Sequence, residues 1–462
     1  MIRWLGESPK FLSQNSSVSL CLRGSKMRIA IIGGGPTGIE AALYGAYAGF
    51  DVRLFEKEEI GGNVSRWGFV QVFTEWGRNR SPLAARLLKA NGEVLPDDAE
   101  YSSGDELVSY IQKFADLEPL QNRVFAQTEV LAITREACLR SDFIGQSRRA
   151  EYSFRLLLRD SQGSERVENF DAVIDASGVY ASPNWMGSGG APCPGELHYK
   201  DRIDYALPDV LGKERARFAN RSTLVIGSGH SAASTLLAVA DLMDEFPATK
   251  LVWIVRRNVP VHGAPFTLVP EETSTTRAKL HHRANALVAH PNVRFLHSTS
   301  VEKIEHNGAR FRVNVSTPEI GLSSFEVDNI AAHTGFRADT TLWQELPIEV
   351  HPPTGAPRKL GEALQAHNKR SGLGLSTGYA EKQALEEAEE HRENSGHDRW
   401  SFLINDPQLL ETGEPNFFVL GIKSYGRDAG FLMHNGFRQV RDVYKLLSGD
   451  SDLDLYEGAL DN

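Results

Sequence analysis

The sequence twice repeats one arrangement that leaves few folds open: a short apolar run, a glycine-rich turn, a helical stretch and a second apolar run. In the first copy, Met27-Arg-Ile-Ala-Ile-Ile32 reads as a strand and ends in Gly33-Gly-Gly-Pro-Thr-Gly38. An Ala-rich helical pattern covers 39–47, and Asp51-Val-Arg-Leu-Phe55 is a second strand closing on Glu56. In the second copy the strand 222–226 leads into Gly227-Ser-Gly-His-Ser-Ala232, a helix over 233–245 and a strand over 250–255. Two strands joined by a helix have the length and pattern of a parallel crossover, which predicts an α/β chain.

Each glycine of such a turn has a separate physical task. Gly33 permits the tight turn, Gly35 lets the backbone approach a pyrophosphate, and Gly38 lets helix and strand pack closely; Pro36 and Thr37 complete the turn. The pyrophosphate is held by the unpaired N–H groups at the positive end of the helix. Glu56 would accept a hydrogen bond from a ribose hydroxyl and repel a 2′-phosphate. The second turn carries Gly227, Gly229, His230, Ser231 and Ala232, and the strand behind it ends in Arg256-Arg257 instead of an acid. Guanidinium groups bind phosphate oxygens in bidentate fashion, so this turn points to NADPH over NADH. A nucleophile elbow around Ser231 is the rival reading; it explains neither the first turn nor the arginines.

The remaining chain organises around these two units. A loop with Gly61-Gly62 and Trp67 is followed by helices near 83–90 and 105–115. Residues 123–173 alternate polar with β-branched or aromatic residues, which predicts several antiparallel strands ending at 172–174. The Pro/Gly-rich connector 182–195 reads as a domain hinge. Further strands are expected at 293–296, 311–315, 330–332 and 417–420, with a closing helix over 432–447. The charged stretch 381–393 reads as an exposed helix. The expected domains are a disordered extension at 1–26, a first part at 27–180, an inserted unit at 195–328, a returning part at 329–450 with a polar helical insertion at about 352–400, and a tail at 451–462. A transit peptide is the lesser alternative for the extension.

Composition excludes several classes. With a net charge of −10, no basic face for nucleic acid or anionic lipid is advertised, and no run approaches the roughly 20 apolar residues that span a bilayer. Cys21, Cys138 and Cys193 are far apart and form no CxxC, so neither a dithiol centre nor a metal site can be read from spacing. Sparse thiols suit a reducing compartment, so a cytoplasmic location is expected. His281-His282 lacks further ligands at metal spacing and reads as a helix surface.

Together these motifs resemble the two-dinucleotide-binding-domain flavoproteins, in particular the flavin-containing monooxygenase-like branch, over roughly residues 27–448. Gly33 to Gly38 with Glu56 resembles the family's FAD fingerprint. Gly61-Gly62 with Trp67 resembles its segment beside the flavin, and Asp175-Ala-Ser177-Gly178 the segment where the chain leaves the FAD domain. His333-Thr-Gly-Phe-Arg-Ala-Asp339 resembles the return crossing. The resemblance implies two Rossmann-like domains, an FAD domain discontinuous in sequence with the NADPH domain inserted, plus small antiparallel β additions. It assigns Gly62, Trp67, Val130, Ser177, Gly178 and Arg427 to FAD alongside the first turn. The monooxygenase signature is only echoed, at Cys193-Pro-Gly195-Glu-Leu-His198, and the usual late Gly-Asp is here Gly421-Ile422.

What the resemblance implies for reaction is hydride transfer from NADPH to FAD, then oxygenation of a soft nucleophile through a flavin C4a-hydroperoxide. Asn79 is the candidate catalytic side chain, Lys423 and Arg427 are candidates for an anionic group near the flavin, and His198 and Tyr199 for the NADPH cleft. A small-molecule substrate, molecular oxygen and a second copy of the chain are the expected partners. The alternatives are a flavin reductase or dehydrogenase of a small acceptor and a non-enzymatic FAD-binding redox sensor.

Overall fold

The computed structural model describes residues 26–259, 264–266, 276–318, 320–370 and 406–460; the extension before Lys26 and the charged stretch 381–393 fall outside them. In chain order the strands are β1 (Arg28–Ile32), β2 (Asp51–Phe55), β3 (Gln71–Glu75), β4 (Tyr101–Ser103), β5 (Val124–Phe125), β6 (Thr128–Arg135), β7 (Phe154–Asp160), β8 (Glu165–Phe170) and β9 (Ala172–Asp175). Then come β10 (Ser222–Ile226), β11 (Lys250–Ile254), β12 (Val293–Leu296), β13 (Ser300–His306), β14 (Phe311–Thr317), β15 (Gly321–Val327), β16 (Asn329–Ala332) and β17 (Phe417–Val419). The helices that matter for the site are α1 (Pro36–Tyr47), α2 (Pro82–Ala90), α3 (Gly104–Ala115), α4 (His230–Met243), α5 (Thr276–Ala286), α6 (Arg358–Arg370) and α7 (Met433–Ser448).

Two parallel sheets form the body, in the orders β17-β9-β1-β2-β5 and β12-β11-β10-β16. Strands covered on both faces need apolar side chains at nearly every position, and the period of two divides those side chains between two cores. Ile29 and Ile31 of β1 pack with α1 and α7, while Ala30 and Ile32 face the antiparallel sheet β6-β7-β8. The second domain repeats the plan. Val225 packs with α4, and Leu224 and Ile226 face the antiparallel sheet β13-β14-β15.

Several expectations need correcting. β9 was expected to end an antiparallel set; it instead pairs in parallel with β1 and β17 at the centre of the first sheet. β16 pairs in parallel with β10, so the second domain extends through Ala332 and the return does not begin at 329. The expected tail is folded onto the first domain: Tyr456 is buried against Tyr44, and Arg438 donates to the Leu460 carbonyl. β13 and β15 were not foreseen.

The chain passes between the domains twice, and the crossings lie side by side. Asn184 N donates to Gly335 O and Arg337 N to Ser182 O, both at 2.9 Å. The Asn184 amide reaches the carbonyls of Thr334 and Phe336, and the Thr334 hydroxyl returns to Asn184 O.

Candidate cofactor-binding site

At the first turn, the β1 strand runs straight into glycines that no side chain could replace. Gly33 has φ 102°, and a Cβ there would stand 2.6 Å from Ala176 O. A Cβ on Gly38 would meet Gly33 O at 1.9 Å. Gly35 and Gly178, by contrast, have open space where a Cβ would stand, which is the room a close-lying pyrophosphate needs. Gly35 caps α1 with no side-chain hydrogen bond, Pro36 follows, and the first turn holds no acid. The Glu56 carboxylate closes the far side, accepting from Gly34 N at 2.6 Å and from Glu58 N at 2.9 Å.

A second helix converges on the same place. A Cβ on Gly436, in the first turn of α7, would lie 2.6 Å from Thr37 Oγ1, and one on Gly421 would lie 3.0 Å from it. α7 also begins without a side-chain cap or an acid. The positive ends of two long helices therefore meet at Thr37, an arrangement suited to an anionic or electron-rich group. These residues fit a flavin dinucleotide.

Beneath the turn lies a buried network. Lys423 Nζ, with its side chain 1% exposed, donates to Asp175 Oδ2 at 2.7 Å and to Ser177 Oγ at 2.9 Å. Trp343 Nε1 donates to the same Asp175 oxygen at 2.6 Å, and its ring lies 4.8 Å from the ammonium. Lys423 thus neutralises Asp175 beneath the crossing, because a buried carboxylate requires a charged or hydrogen-bonding partner. It does not present its charge to an outside anion, contrary to expectation.

The other expected residues fall in distinct places. Gly62 opens a short helix, and the Trp67 ring meets Tyr180 edge-on at 5.6 Å; Tyr180 in turn meets Phe336 at 5.0 Å. Tyr180 lies on the crossing that leaves the first sheet after β9 and Phe336 on the one that leaves the second sheet after β16. Desolvation pushes the Tyr180 hydroxyl up to about 12, so it stays protonated. The Ser177 hydroxyl is engaged by Asp175 and Lys423. The Val130 side chain is buried in the core under β1, beside a bulge between Val130 and Ala132, so its backbone is what it can offer a ligand. Asn79 is buried, with Oδ1 accepting from Thr74 Oγ1 and Nδ2 donating to Thr74 O; its amide closes a turn.

The second turn repeats the first. Gly227 has φ 132°, and a Cβ there would lie 2.3 Å from His333 O, while Gly229 faces open space. Gly229 caps α4 with no side-chain bond, and the first turn holds no acid. Ala232 is buried and Ser231 half-buried. His333 accepts or donates at 2.8 Å to Thr235 Oγ1, and complete burial lowers its imidazole to about 4. Behind the turn, Arg256 is exposed and Arg257 half-buried. Partial desolvation first, and then the positive charge of Arg427 from the first domain, hold Arg256 below the usual guanidinium range.

Sequence reasoning missed two features. His281 was expected on a helix surface but is 9% exposed, with Nε2 2.8 Å from His230 Nδ1; only His282 is exposed. Glu196, within the echoed monooxygenase signature, is fully buried and accepts from Met186 N, Cys193 N and the Tyr205 hydroxyl. Gly195 beside it is pressed onto Ile304 O, and Tyr199 packs on Phe311. That segment is therefore built to seat the linker on the antiparallel sheet, with His198 exposed.

Comparison with known proteins agrees with this geometry. A family model described as pyridine nucleotide-disulphide oxidoreductase matches residues 27–356. The bacilliredoxin reductase of Bacillus subtilis (strain 168) is 23% identical over 334 residues, 71% of this chain and 82% of that protein. The bacillithiol disulfide reductase of Bacillus cereus superposes with a TM-score of 0.63 at 15% identity, covering 92% of this chain and 99% of that one. The FAD-bound cadaverine monooxygenase of Erwinia amylovora gives 0.57 at 13% identity, over 92% and 95%.

Proposed function

The chain belongs to the pyridine nucleotide-disulphide oxidoreductase family, and from that premise we propose that it draws hydride from NADPH at the second turn into FAD at the first and passes the electrons to a small diffusible acceptor, in the first place molecular oxygen during oxygenation of a soft nucleophile. Membership makes it an FAD-dependent oxidoreductase that uses a nicotinamide dinucleotide. FAD, when bound, supplies the two-electron chemistry, and the chain's part is to hold, orient and enclose it.

The placement of the cysteines carries the reading. The sequence has no CxxC. Cys138 and Cys193 are both buried, Cys138 beside Arg149 and Cys193 in the linker. Desolvation first, and then Glu196, push the Cys193 thiol up to about 12, which keeps it a non-nucleophilic thiol at neutral pH. Neither supplies a thiol relay. Trp67, Tyr180 and Phe336 would shield the reacting face from water, and the α7 N-terminus would stabilise negative charge there.

A second reading is supported by the likeness to the bacilliredoxin reductase of Bacillus subtilis: direct reduction of a small acceptor without oxygenation. The two part in one experiment. NADPH and oxygen consumption are followed together on the FAD-loaded protein with amine, sulfide and disulfide acceptors. Oxygenated product formed in step with NADPH supports the first reading. NADPH oxidised in step with a reduced acceptor, with oxygen untouched, replaces it with the second.

A further inference from the structure

The second turn is braced by a column of aromatic rings for which the cofactor assignment alone gives no reason. Trp253, in β11, donates from Nε1 to Gly227 O at 2.9 Å. Its ring stacks on Phe266 at 5.3 Å and 26°. Phe266 stacks on His281 at 4.9 Å and 18°, and His281 stacks on His230 at 4.7 Å and 27°. His230 is the first residue of α4, and its ring also lies 5.6 Å from that of Phe73 of β3, from the first domain.

The column is fixed at its middle by α5. Asn285 accepts from Phe266 N at 2.8 Å and donates to Phe266 O at 2.9 Å. His281 lies one helical turn earlier, so one face of α5 both clamps Phe266 and presents His281 to His230. The facing nitrogens, His230 Nδ1 and His281 Nε2, are 2.8 Å apart. One must carry the hydrogen and the other accept it, so the contact sets both ring plane and tautomer.

From this geometry we infer that His281 is a positioning residue for the dinucleotide turn: through its hydrogen bond and stack it holds His230 at the mouth of α4, where the phosphates of a nicotinamide dinucleotide bind. The inference rests on the assignment of NADPH to this turn. His281 would act on the turn through His230. The column also holds both ends of the turn, Gly227 through Trp253 and His230 through His281. A turn whose open space at Gly229 must receive a pyrophosphate gains affinity from such preorganisation.

The test uses the FAD-loaded full chain, with NADP+ affinity read by equilibrium titration and NADPH-driven flavin reduction read anaerobically. His281→Phe keeps the stack on Phe266 and removes the hydrogen bond. It should weaken NADP+ binding about tenfold, the scale of one lost buried hydrogen bond, with the flavin reduction rate at saturating NADPH changed less than twofold. His281→Asn, which retains a hydrogen-bonding group, should recover part of the affinity. In a His230→Ala background, His281→Phe should have no further effect. Unchanged NADP+ affinity in His281→Phe, or an equal loss in the His230→Ala background, overturns the inference. If His230→Ala and the Arg256→Ala/Arg257→Ala pair all leave NADP+ affinity intact, it is the assignment of the turn that fails. Thermal midpoints and FAD content separate either result from misfolding.

Discussion

Glu40 shows how much a single residue's chemistry depends on distant chain. It lies two positions after Gly38 in α1, where a glutamate would ordinarily face water, yet it is fully buried. The cover comes from the far end of the sequence: the Tyr456 hydroxyl donates to Glu40 Oε1 at 2.9 Å, 416 positions away. Desolvation raises the carboxyl to about 7, against the smaller lowering by Ser81 and Tyr456. The folded state then binds the proton more tightly than the unfolded one, so the associated stability is fully present below the unfolded value near 4.5 and is lost as pH rises through about 7. A shift of that size corresponds to on the order of 3 kcal/mol between the protonation states. Glu40→Gln should therefore be more stable than the parent at pH 8, with a flatter stability profile between pH 5 and 7 in urea titrations. A parent profile already flat over that interval would refute the argument. The glycine turns were legible because their geometry is local. Glu40, His281 and Lys423 were not, because each is buried or paired by a segment remote in sequence, Lys423 by Asp175 at a separation of 248.

At the scale of elements, alternation identified the antiparallel strands between 128 and 170, since one face of β6-β7-β8 packs under the parallel sheet and the other meets water; β5, expected among them, pairs in parallel with β2. β9 was misplaced, although its unbroken Ala-Val-Ile run is what burial on both faces demands. No pattern announced what fastens this antiparallel layer to the chain before β17. Arg135 Nε and Arg149 Nε donate to the two oxygens of Glu414 at 2.7 and 2.6 Å, with all three side chains at 0% exposure. Arg135 also lies over the Phe154 ring at 3.6 Å and reaches the carbonyls of Tyr152 and Pro415. Replacing one member of such a triad leaves charge buried without its counterpart, at a cost of about 3–5 kcal/mol. Glu414→Gln should lower the urea midpoint accordingly, while FAD content per folded chain at low urea stays at the parental value, because the triad lies under the layer and not at the turn. Loss of flavin with an unchanged midpoint would place Glu414 in the site instead.

For the whole molecule, the repeated plan was readable from two turns 194 positions apart by residue number, Gly33 and Gly227, whereas the boundary between domains was set four residues early. A short strand such as Asn329–Ala332 can serve either sheet by its residues alone, and its pairing with β10 decides the matter. What the two domains do not share is the residue behind each turn. Glu56 closes the first, bound to Gly34 N, and a carboxylate there repels a phosphorylated ribose. Arg256 and Arg257 follow β11 at the second, and the positive charge of Arg427 in the other domain helps lower Arg256. Two adjacent guanidinium groups at this strand end offer charge-assisted hydrogen bonds to phosphate oxygens, so a dianionic 2′-phosphate gains more there than an unphosphorylated ribose can. Exchange of Arg256 and Arg257 together for Ala should raise the NADPH KM by tenfold or more, the scale of lost charge-assisted hydrogen bonds, and leave the NADH KM within about twofold. Arg427→Ala alone should move the NADPH KM in the same direction by less, with FAD retained. Equal effects on both nucleotides would separate the arginines from the phosphate. Loss of FAD in Arg427→Ala would return that residue to the first turn.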